Sequence, residues 1–153
     1  MAKRRHYRKQ KFKIRLKKNT VYAIFAFLIV LSGLLLGLSF TRNGPSFVSI
    51  NDYLINYFGI FAILFPLLLI IFGFFFLRLK IFLSKPNVAL GFLIFYLSLL
   101  GLSKEGLLGG YFHMALSDII TDVGAFFVYL SGIFVGLVVL FDTSVDEVVS
   151  ILG

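Results

Sequence analysis

The sequence predicts an all-α membrane protein: a four-transmembrane-helix bundle with an amphipathic interfacial helix in its second outer loop. Three observations carry that reading. Hydrophobic residues make up 59% of the 153 residues and charged residues only 14%, whereas a soluble domain carries roughly a quarter charged. The apolar residues gather into four stretches without Asp, Glu, Lys, Arg or His. Lys and Arg alternate in number between the segments that join those stretches.

The chain opens MAKRRHYRKQKFKIRLKK, with ten basic residues and no acid. They are Lys3, Arg4, Arg5, Arg8, Lys9, Lys11, Lys13, Arg15, Lys17 and Lys18. The net charge of +8 therefore belongs to a tail, residues 1–20, and not to a basic fold. Such a cluster orients its end toward the cytoplasm. It also attracts anionic lipid, at about 1 kcal/mol per basic residue, and DNA phosphate. Its interspersed Tyr7, Phe12, Ile14 and Leu16 do not separate those roles.

The first span, residues 21–40, reads VYAIFAFLIVLSGLLLGLSF. Twenty residues at ~1.5 Å each match a hydrocarbon core of about 30 Å. It is too long for a signal-peptide core and no small-x-small cleavage site follows, so it is a retained anchor. The second span, residues 58–77, holds Pro66, which is expected to kink it. The third, residues 87–102, is shorter, and Pro86 and Asn87 supply its entering turn. The fourth covers residues 123–141. Only closed backbone hydrogen bonding survives in hydrocarbon, so each span must be helical. Gly33-x-x-x-Gly37 and Gly132-x-x-x-Gly136 permit close helix approach, within one chain or between copies.

Lys and Arg number ten in the tail, one in the first loop (Arg42), three in the second (Arg78, Lys80, Lys85), one in the third (Lys104) and none at the C-terminal end. The basic excess marks the cytoplasmic side. Both ends are thus expected inside, in a multi-pass protein of the cytoplasmic membrane. The second outer loop, KEGLLGGYFHMALSDIITDVG, has apolar residues at helical period after Gly109-Gly110. It is too polar to span and is expected to lie at the outer interface. In residues 142–153, Ser144-x-x-Glu147 matches a capping box, so a new cytoplasmic helix is expected there. Two turns are marginal alone, which implies a longer chain or a docking partner.

His113, Ser117, Asp118 and Asp122 form the one cluster with chemical potential. His113 and Ser117 lie at i, i+4, but a Ser–His pair needs a closed pocket and an oxyanion hole. A solvated polar face is the expected reading. One His with two Asp is too few for a metal. There is no Cys, no Gly-x-x-x-x-Gly-Lys-Ser/Thr phosphate loop and no ionised residue inside a span to relay protons or bind an ion. No catalytic residue and no cofactor are expected.

A basic head, four spans, a short third span and GGYFHMALSDIITDVGAFFVYLSGIFVGLVVLFDTSVDEVVSIL resemble the N-terminal membrane domain of FtsK/SpoIIIE DNA translocases. The likeness covers the chain beyond residue 20 and is best over residues 109–152. It includes the Gly-Gly loop start, Gly124 entering the fourth span, Gly136 in its inner half and the short acidic stretch after residue 142. Trp, common in the family's loops, is absent. The resemblance implies an oligomeric tether that holds an ATP-driven DNA motor at the division septum and contacts other division proteins, with DNA reached through the motor. Rival readings are a small oligomeric transporter or channel subunit, a membrane scaffold, and a membrane enzyme using His113 and Ser117.

Overall fold

The computed structural model describes the backbone of residues 17–152 and the side chains of residues 17–141. The expectations for Lys3, Arg4, Arg5, Arg8, Lys9, Lys11, Lys13 and Arg15 therefore lie outside the described residues. Six α-helices make up the described chain: α1 (Lys18–Ser39), α2 (Pro45–Phe58), α3 (Leu64–Leu77), α4 (Pro86–Ser103), α5 (Gly106–Ile120) and α6 (Asp122–Leu152). Two short 3-10 stretches, Gly59–Ile63 and Phe82–Ser84, precede α3 and α4. Among the described residues there is no strand.

Four segments are long and apolar enough to cross a membrane: Lys18–Ser39, Pro45–Leu77, Pro86–Ser103 and Asp122–Phe141. The chain is an all-helical, multi-pass membrane protein. The second of these segments has 33 residues, which as one straight helix would be about 50 Å long, well beyond the hydrocarbon core. It is broken at Gly59, where φ is 62°. The 3-10 turn and α3 together cover residues 59–77, about 31 Å at the rises of the two helix types.

Two local features shape the second span. The loop before it is not irregular but contains α2, whose start is set by Gly44 at φ 101° and Pro45 as first helical residue. Proline is favoured there because its missing N–H has no intrahelical partner to lose. Pro66, expected to kink the span, follows directly on the change from 3-10 to α-helix at Leu64. It is the third residue of α3, again within the turn whose N–H groups need no helical acceptor.

The bend at Gly59 has a tertiary cause. Glu105 packs against it, and the Ile60 N–H donates to Glu105 Oε2 at 3.1 Å. A Cβ on Gly59 would lie 2.6 Å from Glu105 Cβ, and one on Gly106 would lie 2.6 Å from Gly59 N. Both glycines have positive φ, 62° and 67°, a conformation that L side chains resist. Only glycine at both places lets the α2–α3 and α4–α5 junctions cross in contact.

The chain forms two hairpins of like order. In each, a long helix leads to a shorter one and then to the returning helix. α1 packs chiefly on α3, and α4 on α6, while α2 touches α5. Small residues bring the paired helices together. A Cβ on Gly33 would lie 3.0 Å from Pro66 O, and one on Gly73 would lie 3.1 Å from Ala26 O. In the second hairpin, a Cβ on Gly91 would lie 2.8 Å from Leu140 N, and one on Gly136 would lie 2.6 Å from Phe95 N. The hairpins meet where Leu68 and Ile71 of α3 bury against Val88, Ala89, Phe92, Tyr96 and Leu100 of α4. The repeat extends to sequence: Leu-Leu-Gly-Leu-Ser ends both α1 (35–39) and α4 (99–103). Ser39 Oγ donates to Leu36 O at 2.6 Å, and Ser103 Oγ to Leu100 O at 2.9 Å.

Helix α5 begins at Gly106, so Gly109 and Gly110 lie inside it and do not start it. The reason is packing: a Cβ on Gly109 would lie 2.7 Å from Leu100 O of α4. No new helix starts after residue 142 either. α6 runs unbroken for 31 residues from Asp122 to Leu152, so Ser144 sits within a helix and is not its N-cap. The α6 start is capped instead by Thr121, whose Oγ1 accepts the Gly124 N–H at 3.3 Å. Thr121 has φ 84°, a costly conformation for a β-branched residue.

Candidate functional site

At the α4–α5–α6 junction two of the four polar side chains grouped from sequence, His113 and Asp122, come together. His113, the eighth residue of α5, is buried, with 6% of its surface exposed. This corrects the expectation of a solvated polar face. The side of α5 that carries Gly109 and His113 is the one covered by its neighbours, while Tyr111, Met114 and Ile119 are exposed.

His113 Nδ1 is 3.2 Å from Gly101 O, and Nε2 is 2.7 Å from Asp122 Oδ1. A carbonyl only accepts, so Nδ1 carries the hydrogen in the first contact. The second contact then needs a proton between Nε2 and the carboxylate, since two lone pairs would repel. The imidazole thus bridges the end of α4 to the start of α6. Lys104 Nζ stands 3.8 Å from the same Asp122 oxygen. Both of those side chains are largely exposed, so that pair adds little.

Tyr129 closes the other side. Its hydroxyl donates to Phe112 O at 2.6 Å, and its ring lies 6.2 Å from the His113 ring. A Cβ on Gly101 would collide with the Tyr129 ring. Gly101 thereby serves twice, as carbonyl acceptor and as the gap that admits the ring.

The remaining candidates do not join this cluster. Ser117 donates to Met114 O at 3.1 Å, so its hydroxyl is turned to its own helix and forms no nucleophile–base pair with His113. Asp118 is exposed. Among the described residues no three His, Asp or Glu side chains converge as metal ligands would. The arrangement fastens α4, α5 and α6 to one another.

The glycines singled out from sequence all face neighbours within the chain. Gly33 sits on Pro66 and Ile70, and Gly37 is looser, 3.9 Å from Pro66 Cβ to the place of its missing Cβ. Gly132 abuts Ser98 and Gly136 abuts Phe95. Gly110 has only Lys104 O near, at 3.7 Å. Lys17 and Lys18 open α1 and are exposed. Sequence reasoning missed Gly73, Gly91, Gly101 and Tyr129. Each lies inside an apolar run where hydropathy treats it as filler, although the repeated Leu-Leu-Gly-Leu-Ser was a usable signal for Gly101. No family model, no curated protein and no solved structure matches the chain.

Proposed function

We propose that the chain is a membrane tether, the anchoring and oligomerisation domain of an FtsK-like DNA translocase, with a cytoplasmic ATP-driven DNA motor as its load. The observation that carries the reading is α6. It continues from its apolar part, Asp122–Phe141, to Leu152 without a break. The eleven residues beyond Phe141 add about 16 Å of helix, roughly half a membrane thickness. A returning span that leaves the lipid as one rod transmits force and orientation to whatever follows, where a flexible loop would not.

The charge pattern puts both chain ends on the Lys/Arg-rich side. In this reading α2 and α5 lie together at the outer interface. The glycine-lined hairpins supply rigidity, and DNA is handled by the motor. The resemblance noted above points to the division septum as the site of action.

A fluorescent fusion of the chain, expressed in dividing bacteria, is expected to gather at the septum, and the reading frame is expected to continue after Gly153 into a phosphate-loop motor. Even distribution around the membrane together with a frame lacking such a motor would reject the proposal. Solute or ion flux through liposomes holding the purified chain would favour the rival transporter or channel reading.

A further inference from the structure

A cleft of about 1040 Å³ opens between the start of α1 and the turn joining α3 to α4. That volume is at the upper end for a small-molecule site. Its mouth carries Arg78, Lys80 and Lys85, with Asn19 beside them, and among the described side chains no Asp or Glu lines it. Its wall is aromatic: Tyr22 from α1 and Phe76 from α3.

The turn that forms the mouth is held in place. Arg78 ends α3 with left-handed backbone at φ 49°. The buried Ser84 donates its hydroxyl to Phe74 O at 2.7 Å. The Ser84 and Lys85 N–H groups close onto Ile81 O and Phe82 O at 3.1 and 3.2 Å. Pro86 then begins α4, whose N-terminal dipole adds positive potential nearby.

Depth matters as much as charge. The cleft lies where α1 starts, at Lys18, and where α3 stops, at Leu77. That is the level at which apolar helix gives way to polar loop, the headgroup zone. From the cleft the aromatic wall continues along α1. Phe25, one turn beyond Tyr22, meets Phe76 edge-on with ring centroids 6.1 Å apart, and Tyr22 and Phe25 are 58% and 55% exposed. A cationic mouth above an apolar flank fits an amphiphile with a negative head.

We infer that this cleft binds the phosphate head of an anionic phospholipid, with Arg78 and Lys80 at the phosphate and an acyl chain laid along Tyr22, Phe25 and Phe76. Basic pockets at this depth between membrane helices attract such lipids through charge and apolar burial together. The inference rests on the membrane reading alone and holds whatever load the tether carries.

The test uses the purified full chain, stripped of lipid in detergent and examined by native mass spectrometry with phosphatidylglycerol or phosphatidylcholine. One phosphatidylglycerol per chain should be retained over phosphatidylcholine by about thirtyfold, two cations each contributing at the headgroup level. Arg78→Gln with Lys80→Gln should abolish the preference, while Arg78→Lys with Lys80→Arg keeps it, which separates lost charge from lost folding. Neutralising Lys3, Arg4, Arg5 and Arg8 should leave the preference intact; if that variant loses it, the attraction belongs to the tail and the site is refuted. Equal retention of the two lipids refutes it too. Displacement by millimolar glycerol phosphate would show a soluble phosphate site and overturn the lipid assignment.

Discussion

The two hairpins, α1–α3 and α4–α6, share an order and a five-residue ending to their first helices, but their closest approaches differ. In the first, the atom nearest each missing Cβ is a side chain, Ile70 at Gly33 and Val30 at Gly73. In the second, backbone is nearest at Gly91 (Leu140 N) and Gly136 (Phe95 N), and a side chain at Gly101 (Tyr129) and Gly132 (Ser98). The eighth residue of each short helix tells the same story. In α2 it is Asp52, exposed and paired with Arg42 at 3.1 Å. In α5 it is His113, buried and bonded to both flanking helices. A side chain can shift by rotation to relieve crowding, whereas helix backbone cannot. At Gly91 and Gly136 the second hairpin therefore has the least room to yield, and the comparison predicts where substitutions will be felt.

The largest effect is expected at Gly136→Leu. A side chain there must push α4 from α6 by displacing Phe95 backbone, and overpacking of this kind costs about 1–3 kcal/mol or more. Thermal unfolding in detergent, followed by circular dichroism, should show the lowered midpoint. If Gly136→Leu were no worse than the matching change at Gly33, the claim that the second hairpin has less room to yield there would fail.

His113→Ala comes next. It strips the Gly101 carbonyl of a donor inside the protein, at about 1–3 kcal/mol for an unsatisfied buried group. His113→Gln, which can still donate to that carbonyl, should recover part of the loss in the same unfolding assay. Full stability in His113→Ala would mean that the imidazole bridge contributes nothing to the junction.

A smaller change is expected at Glu105→Ala, which removes the acceptor of the Ile60 N–H and with it about 0.5–1.5 kcal/mol. Hydrogen exchange at Ile60 should quicken, while amides in the middle of α4 stay protected. Asp52→Ala should be smaller still, within about 1 kcal/mol, because both partners of its ion pair lie in water-accessible positions. High salt should erase whatever difference remains.

Gly37→Ala should reverse the sign. The nearest atom to the new methyl is Pro66 Cβ at 3.9 Å, an ordinary contact. Alanine is favoured over glycine inside a helix by up to about 1 kcal/mol. A slight rise in unfolding temperature is expected, and a fall would reveal crowding at the end of α1.

The candidate site was legible only in part. Its members His113 and Asp122 stood out as the polar residues of an otherwise apolar loop. Their partners did not, because Gly101 and Tyr129 occur in apolar runs where every residue looks alike to a hydropathy window. Burial reversed the reading of His113: it shares the packed side of α5 with Gly109, while apolar Tyr111, Met114 and Ile119 are the exposed residues. Helix α2 escaped for a related reason. Its Asn51, Asp52 and Asn56 read as loop, yet Gly44-Pro45 and the 3–4 spacing of Phe47, Asn51 and Leu54 carry a helix start and a common face.

By itself the sequence determined that this chain enters lipid, where it does so and that the entering segments are helical, because uncharged runs of sufficient length leave the backbone no other way to satisfy its hydrogen bonds. Only the tertiary structure decided that the spans pair as two hairpins, that α2 and α5 meet, that the helix breaks at Gly59, and that His113 is enclosed. Those outcomes depend on which surfaces touch, through contacts such as Gly59 with Glu105 or Gly91 with Leu140. Pairings of residues far apart in the chain leave no trace in the hydropathy of either partner.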